Sequence, residues 1–143
     1  MAARALGWFL LAPALLLAAD TPMLETRQHN FALFLFTPEG YRSMTVGGDE
    51  AHPVSRDQMD VKGLKIVAFA GDAAAQVKTI LLSPEASFFS AEQRASGPGA
   101  VRLIRDDYEV TGEDWTYQHE GEKVSIRRHV HVLFKQQLTG LLK

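Results

Sequence analysis

Two histidines separated by one residue, His129 and His131, are the side chains of this sequence best spaced for chemistry. On a strand, positions i and i+2 project to one face, and a His-x-His pair so placed can chelate zinc or copper. A metal site needs a third ligand, and none lies nearby in sequence, while Arg127-Arg128 beside the pair would repel a cation. The spacing therefore predicts two histidines on a solvent face and no metal. Carboxylates pair up at Asp106-Asp107, Glu113-Asp114 and Glu120/Glu122, in turn-like surroundings where charge serves solvation better than acid-base work. No Gly-x-Ser-x-Gly elbow, phosphate loop or dinucleotide fingerprint occurs. The chain has no cysteine, which removes thiol nucleophiles, disulfide staples and zinc-thiolate sites together. Neither catalysis nor a cofactor is predicted, and the chemistry that remains is non-covalent binding by apolar side chains.

Those side chains are carried by strands. From Ser96 to Phe134 short β-type runs alternate with turns: 100–105, the turn Asp106-Asp107, 108–111, Gly112, 115–117, the turn 119–122, 123–126 and 129–134. The apolar period is two, so Val101/Leu103, Trp115/Tyr117, Val124/Ile126 and Val130/Val132/Phe134 can line one surface of a curved antiparallel sheet. Further upstream, Phe31-Ala32-Leu33-Phe34-Leu35-Phe36 is a continuous apolar run, too short for a lone helix. Phe31, Phe34 and Phe36 cannot all face one side, so part of this strand must meet a partner, another chain or a ligand.

Thr37-Pro38-Glu39-Gly40 predicts a turn, because Pro38 presets φ and Gly40 is free to take positive φ, with Tyr41 to Val46 returning as the second strand of a hairpin. Gly47-Gly48 is expected to end that strand and Glu50 to Gln58 to be irregular. Met59 to Phe69 reads as a third strand with a bulge near Gly63, and Gly71-Asp72 as the next turn. Val77 to Leu82 is β-branched and precedes Ser83-Pro84; Pro84 to Phe89 is then expected as a separate short strand and Glu92 to Gly99 as a loop. Many short strands between Gly/Pro turns predict an all-β sandwich or jelly roll.

The N-terminus sets the compartment. Arg4 precedes an apolar stretch from Leu6 to Leu17, and Ala18-Ala19-Asp20-Thr21-Pro22 then turns small and polar. About a dozen apolar residues fall short of the roughly 20 that cross a bilayer, so residues 1–19 are expected to be a signal peptide cut after Ala19, or an uncleaved anchor. Residues 20–143 are the size of one domain with one core. Lys and Arg number 15 against 17 Asp and Glu, without a basic run, which argues against nucleic-acid binding.

The succession Asn30-Phe31, Pro38-Glu39-Gly40-Tyr41, Ser83-Pro84-Glu85-Ala86, Ala95-Ser96-Gly97, Val110-Thr111-Gly112-Glu113-Asp114-Trp115-Thr116-Tyr117, Ile126 and His129-Val130-His131-Val132 resembles the periplasmic lipopolysaccharide-export family, LptC-like and also LptA/OstA-like. The likeness runs from about Phe31 to Phe134 and lies in pattern, with no catalytic signature. It implies an antiparallel β-jelly-roll open along one side, whose apolar interior carries lipid A acyl chains. It also implies edge strands that stack on homologous periplasmic jelly rolls, served by an inner-membrane ABC transporter complex. LptC proteins are usually longer and held by a true transmembrane helix, so inner-membrane association and the choice between LptC-like and LptA-like stay open.

On this reading the expected lipid-binding residues are Phe31, Leu33, Leu103, Trp115, Tyr117, Val130, Val132 and Phe134. Acyl chains gain roughly 0.8 kcal/mol per buried CH₂, which suffices for a carrier without covalent chemistry. The alternative is a generic exported β-sandwich that binds a glycan or a partner protein, in which the same residues fill an ordinary closed core.

Overall fold

The computed structural model describes residues 27–135, which form seven strands: β1 (Gln28–Phe36), β2 (Arg42–Pro53), β3 (Gln58–Phe69), β4 (Val77–Phe89), β5 (Arg94–Ile104), β6 (Tyr108–Gln118) and β7 (Lys123–Phe134). They make one antiparallel sheet in sequential order, with β1 and β7 as its two outer strands. The first hairpin closes as Pro38 and Gly40 require: Gly40 has φ 90, its N–H donates to the Thr37 carbonyl at 2.9 Å, and the Thr37 N–H donates to the Tyr41 carbonyl at 2.7 Å. The all-β architecture expected from the period-two pattern is observed. The leader, residues 1–19, lies outside the described residues.

Strand lengths depart from expectation in one consistent way. Gly47-Gly48 does not end β2, which runs on to Pro53, so residues 50–53 are strand rather than irregular. Ser83-Pro84 does not divide β4, and residues 94–99 belong to β5 rather than to a loop. Gly112 and Arg127-Arg128 likewise lie within single continuous strands. The breakers sit in mid-strand because the whole sheet is creased there. Inward-facing residues change phase across the crease, from Thr79, Leu81 and Ser83 to Ala86 and Phe88 on β4, and from Gly112 to Trp115 and Tyr117 on β6. Keeping the same face inward across such a change needs a local kink.

Register shifts mark the kink at Leu82/Ser87, Gly97/Ala100 and Thr111/Glu113, and positive φ marks it at Asn30, Gly63, Asp114 and His129. At Gly63 the expected bulge is absent: Lys62 opposite Glu85 and Leu64 opposite Ser83 keep step, and the glycine bends the strand through φ 64 alone.

The crease folds the sheet onto itself. Lys78 lies two residues before Ile80, which pairs with Ile104 at the end of β5; Glu122 lies beyond Gln118, which pairs with Arg94 at its start. A flat strand of that length would hold these two ends roughly 35 Å apart. Lys78 Nζ is nevertheless 3.0 Å from Glu122 Oε1. Between the two layers so formed lies a buried cluster that includes Met44, Val46, Leu64, Ile66, Leu81, Phe88, Leu103, Trp115 and Tyr117.

Candidate ligand-binding interior

Directly opposed residues of an antiparallel pair share a face, so register fixes which side of the sheet each candidate occupies. Leu33 and Leu35 oppose the fully buried Val46 and Met44, and Phe31 packs with them against the core cluster. Phe34 and Phe36 point the other way and are exposed, with the Arg42 guanidinium 5.3 Å from the Phe34 ring centre. The apolar run of β1 is thus divided between two faces, as its composition requires. At the other edge, Val124, Ile126, Val132 and Phe134 oppose Tyr117, Trp115, Val110 and Tyr108, all inward residues.

The sequence candidates therefore share the inner face but differ in cover. Leu103, Trp115 and Tyr117 are buried, at 4%, 1% and 2% exposure. Phe31 and Leu33 are half-buried on β1. Val130, Val132 and Phe134 lie on the end of β7, where the inner face emerges from beneath its opposite layer, and they are 47%, 49% and 74% exposed. Leu35, Tyr108 and Val110 complete the same surface at its margins. Sequence reasoning passed over Leu35, although its spacing of two from Leu33 carried the signal.

The crease explains the close packing around Trp115. A Cβ on Gly97 would lie 2.8 Å from the Glu85 carbonyl oxygen and 3.1 Å from Trp115 Nε1, so only glycine lets the indole lie flat there. The Trp115 N–H is buried and has no acceptor among the described residues.

Opposite the crease, the free ends of the layers meet in a polar group. Tyr117 Oη and His119 Nδ1 share a hydrogen bond of 2.9 Å. Burial pushes the Tyr117 hydroxyl up to about 12; the Glu122 carboxylate adds to the rise and the Arg105 guanidinium opposes it. Burial also holds the His119 imidazole below its ordinary value, against the pull of Glu122. Arg105 stands 5.9 Å from the Tyr108 ring centre, and Lys135 donates to the Arg105 carbonyl at 3.3 Å.

The residues examined for chemistry are occupied otherwise. His129 sits in the β7 irregularity with φ 52, its Nδ1 3.1 Å from Glu113 Oε2, and His131 opposes Thr111. Among the described residues no group of three or more His, Cys, Asp or Glu is placed to hold a metal ion. Asp114 pairs with Arg127 at 3.2 Å and Glu109 with Arg102. Protonation of Glu109 is disfavoured by its hydrogen bond from Arg102. Both carboxylates thus face cations. Among the described residues no helix is long and apolar enough to cross a membrane.

No protein-family profile matches this chain, and no curated protein does. Nine solved chains match it in structure. One is the crystal structure of LptH, described as the LptA-homologous periplasmic component of the conserved lipopolysaccharide transport device of Pseudomonas aeruginosa. The superposition has a TM-score of 0.55 at 13% identity and covers 78% of this chain and 94% of LptH. The likeness is one of fold, and in fold it agrees with the resemblance read from the sequence.

Proposed function

We propose that this protein is a non-enzymatic periplasmic component of lipopolysaccharide transport. It holds lipid A acyl chains against the inner face of its creased sheet and passes them along stacked jelly rolls towards the outer membrane. One observation carries the reading. The inner face is apolar from β1 to β7 yet is left open on β7, where Val130, Val132 and Phe134 are 47%, 49% and 74% exposed, the last two opposite the half-buried Val110 and Tyr108 of the same face. A sheet built only to be a closed core would cover that surface; a trough that continues into a ligand or the next domain leaves it open. Phe31, Leu33, Leu103, Trp115 and Tyr117 supply the remaining wall, the last three of them beneath the opposite layer. The fold shared with LptH supports the same reading. Homologous jelly rolls on the β1 and β7 edges, and an inner-membrane ABC transporter behind them, are the partners it calls for.

Purified protein mixed with lipopolysaccharide tests the proposal. Val132→Glu is expected to abolish binding, whereas Thr116→Lys, on the outer face, leaves it unchanged. Equal losses from both changes would overturn the assignment of the inner face. The exposed Phe34, Phe36 and Arg42 of the outer face favour a second reading, a surface that binds a glycan or a partner protein. That reading requires Phe34→Ala to remove ligand binding while Val132→Glu spares it.

A further inference from the structure

Leu103, Trp115 and Tyr117 are almost wholly covered, so no acyl chain can touch them unless the two layers separate. The means of separation are visible at the mid-strand crease and at the strand ends opposite it. At the crease the β4–β5 ladder is interrupted between Leu82 and Ser87, and a cleft of about 480 Å³ there is lined by Leu64, Leu82, Pro84, Ala100 and Val101 among others. The β3–β4 ladder runs unbroken past this point, so the missing β4–β5 pairs are where the fold can flex without losing the strand order. At the opposite end one ion pair spans the gap, Lys78 at the start of β4 with Glu122 in the β6–β7 turn, at 3.0 Å. The other side-chain ion pairs among the described residues join adjacent segments, as Arg102–Glu109 does, lie at the crease, as Arg127–Asp114 does, or close a single turn, as Arg94–Glu92 does.

We infer that Lys78 and Glu122 form a clasp across the mouth of the folded sheet, and that its release lets the layers part about the crease and admit an acyl-bearing amphiphile. The clasp concerns access to the site proposed above and rests on that reading for its purpose. Its mechanical part, closure of the mouth, stands on the geometry alone. Both partners are about half exposed, so the pair holds weakly and can be broken and remade without unfolding the core. A clasp of this strength suits a carrier that must load and unload.

Because the chain has no cysteine, one introduced at Ala95, fully buried in the core, reports opening through its rate of maleimide labelling. In full-length Ala95→Cys protein, Lys78→Met and Glu122→Gln are each expected to raise the native-state labelling rate by about two- to fivefold, the range a surface pair supports. The exchanged pair Lys78→Glu/Glu122→Lys should restore the slow rate. Glu109→Gln, which breaks the Arg102–Glu109 ion pair within one layer, should leave it unchanged. Should Ala95→Cys fail to fold, Ala86→Cys, also buried, takes its place. Unchanged labelling in both single variants, or an equal rise in Glu109→Gln, overturns the clasp and leaves the carrier reading intact. Failure of the wild-type chain to bind lipopolysaccharide overturns the carrier reading and leaves the clasp intact.

Discussion

Gly97 and Trp115 constrain each other, since any side chain on the glycine would press on the indole and on the backbone of β4. Gly97→Ala should therefore destabilise the fold by about 1–3 kcal/mol, the cost of overpacking a tight interior, read as a lower urea midpoint. Trp115→Ala should cost more, about 3–5 kcal/mol, because it leaves a large cavity in the core. His119 adds a pH dependence whose sign follows from its depressed value in the fold. The unfolded chain binds the proton more readily, so the contribution is complete above about pH 6.5 and is lost as pH falls through the lower folded value. Urea midpoints measured between about pH 7 and about pH 5 should fall further for the wild type than for His119→Gln. Parallel curves would show that burial of His119 does not carry the effect.

Strands differ in how much of them sequence can disclose. The hairpin at Thr37–Tyr41 was legible because Pro38 and Gly40 determine it locally. So was the inward face of β6, where Trp115 and Tyr117 keep period two. The continuity of β2, β4 and β5 was not legible, because Gly47-Gly48, Ser83-Pro84 and Gly97-Pro98-Gly99 are breakers by local rule. Only pairing with neighbours on both sides of the crease, such as Ser87 with Ser96 and Leu82 with Arg102, carries the strand through. On β7 the consequence is testable. Val132 is half exposed, so Val132→Glu should shift the urea midpoint little, within about 0.5 kcal/mol, while it removes lipid binding. A collapse in stability would mean that the position belongs to the closed core and not to an open trough.

At the scale of the molecule, the fold-back of the sheet depends on residues remote in sequence. Lys78 and Glu122 meet although no local pattern relates them, which is why the clasp could not be read from the chain. Among the described residues the open order from β1 to β7 leaves two outer strands whose outward backbone groups can extend the sheet into another chain. Photocrosslinkers at Phe34 and Leu133 are expected to capture a homologous periplasmic β protein or a second copy of this chain; no protein adduct from either edge would contradict stacking. The central claim, that the inner face carries acyl chains, is tested most directly in living cells by photocrosslinkers at Val132 and at its chain neighbour His131, which alternation places on the opposite face. The account predicts a lipopolysaccharide adduct from Val132 and none from His131. Adducts from both, or from neither, would contradict it.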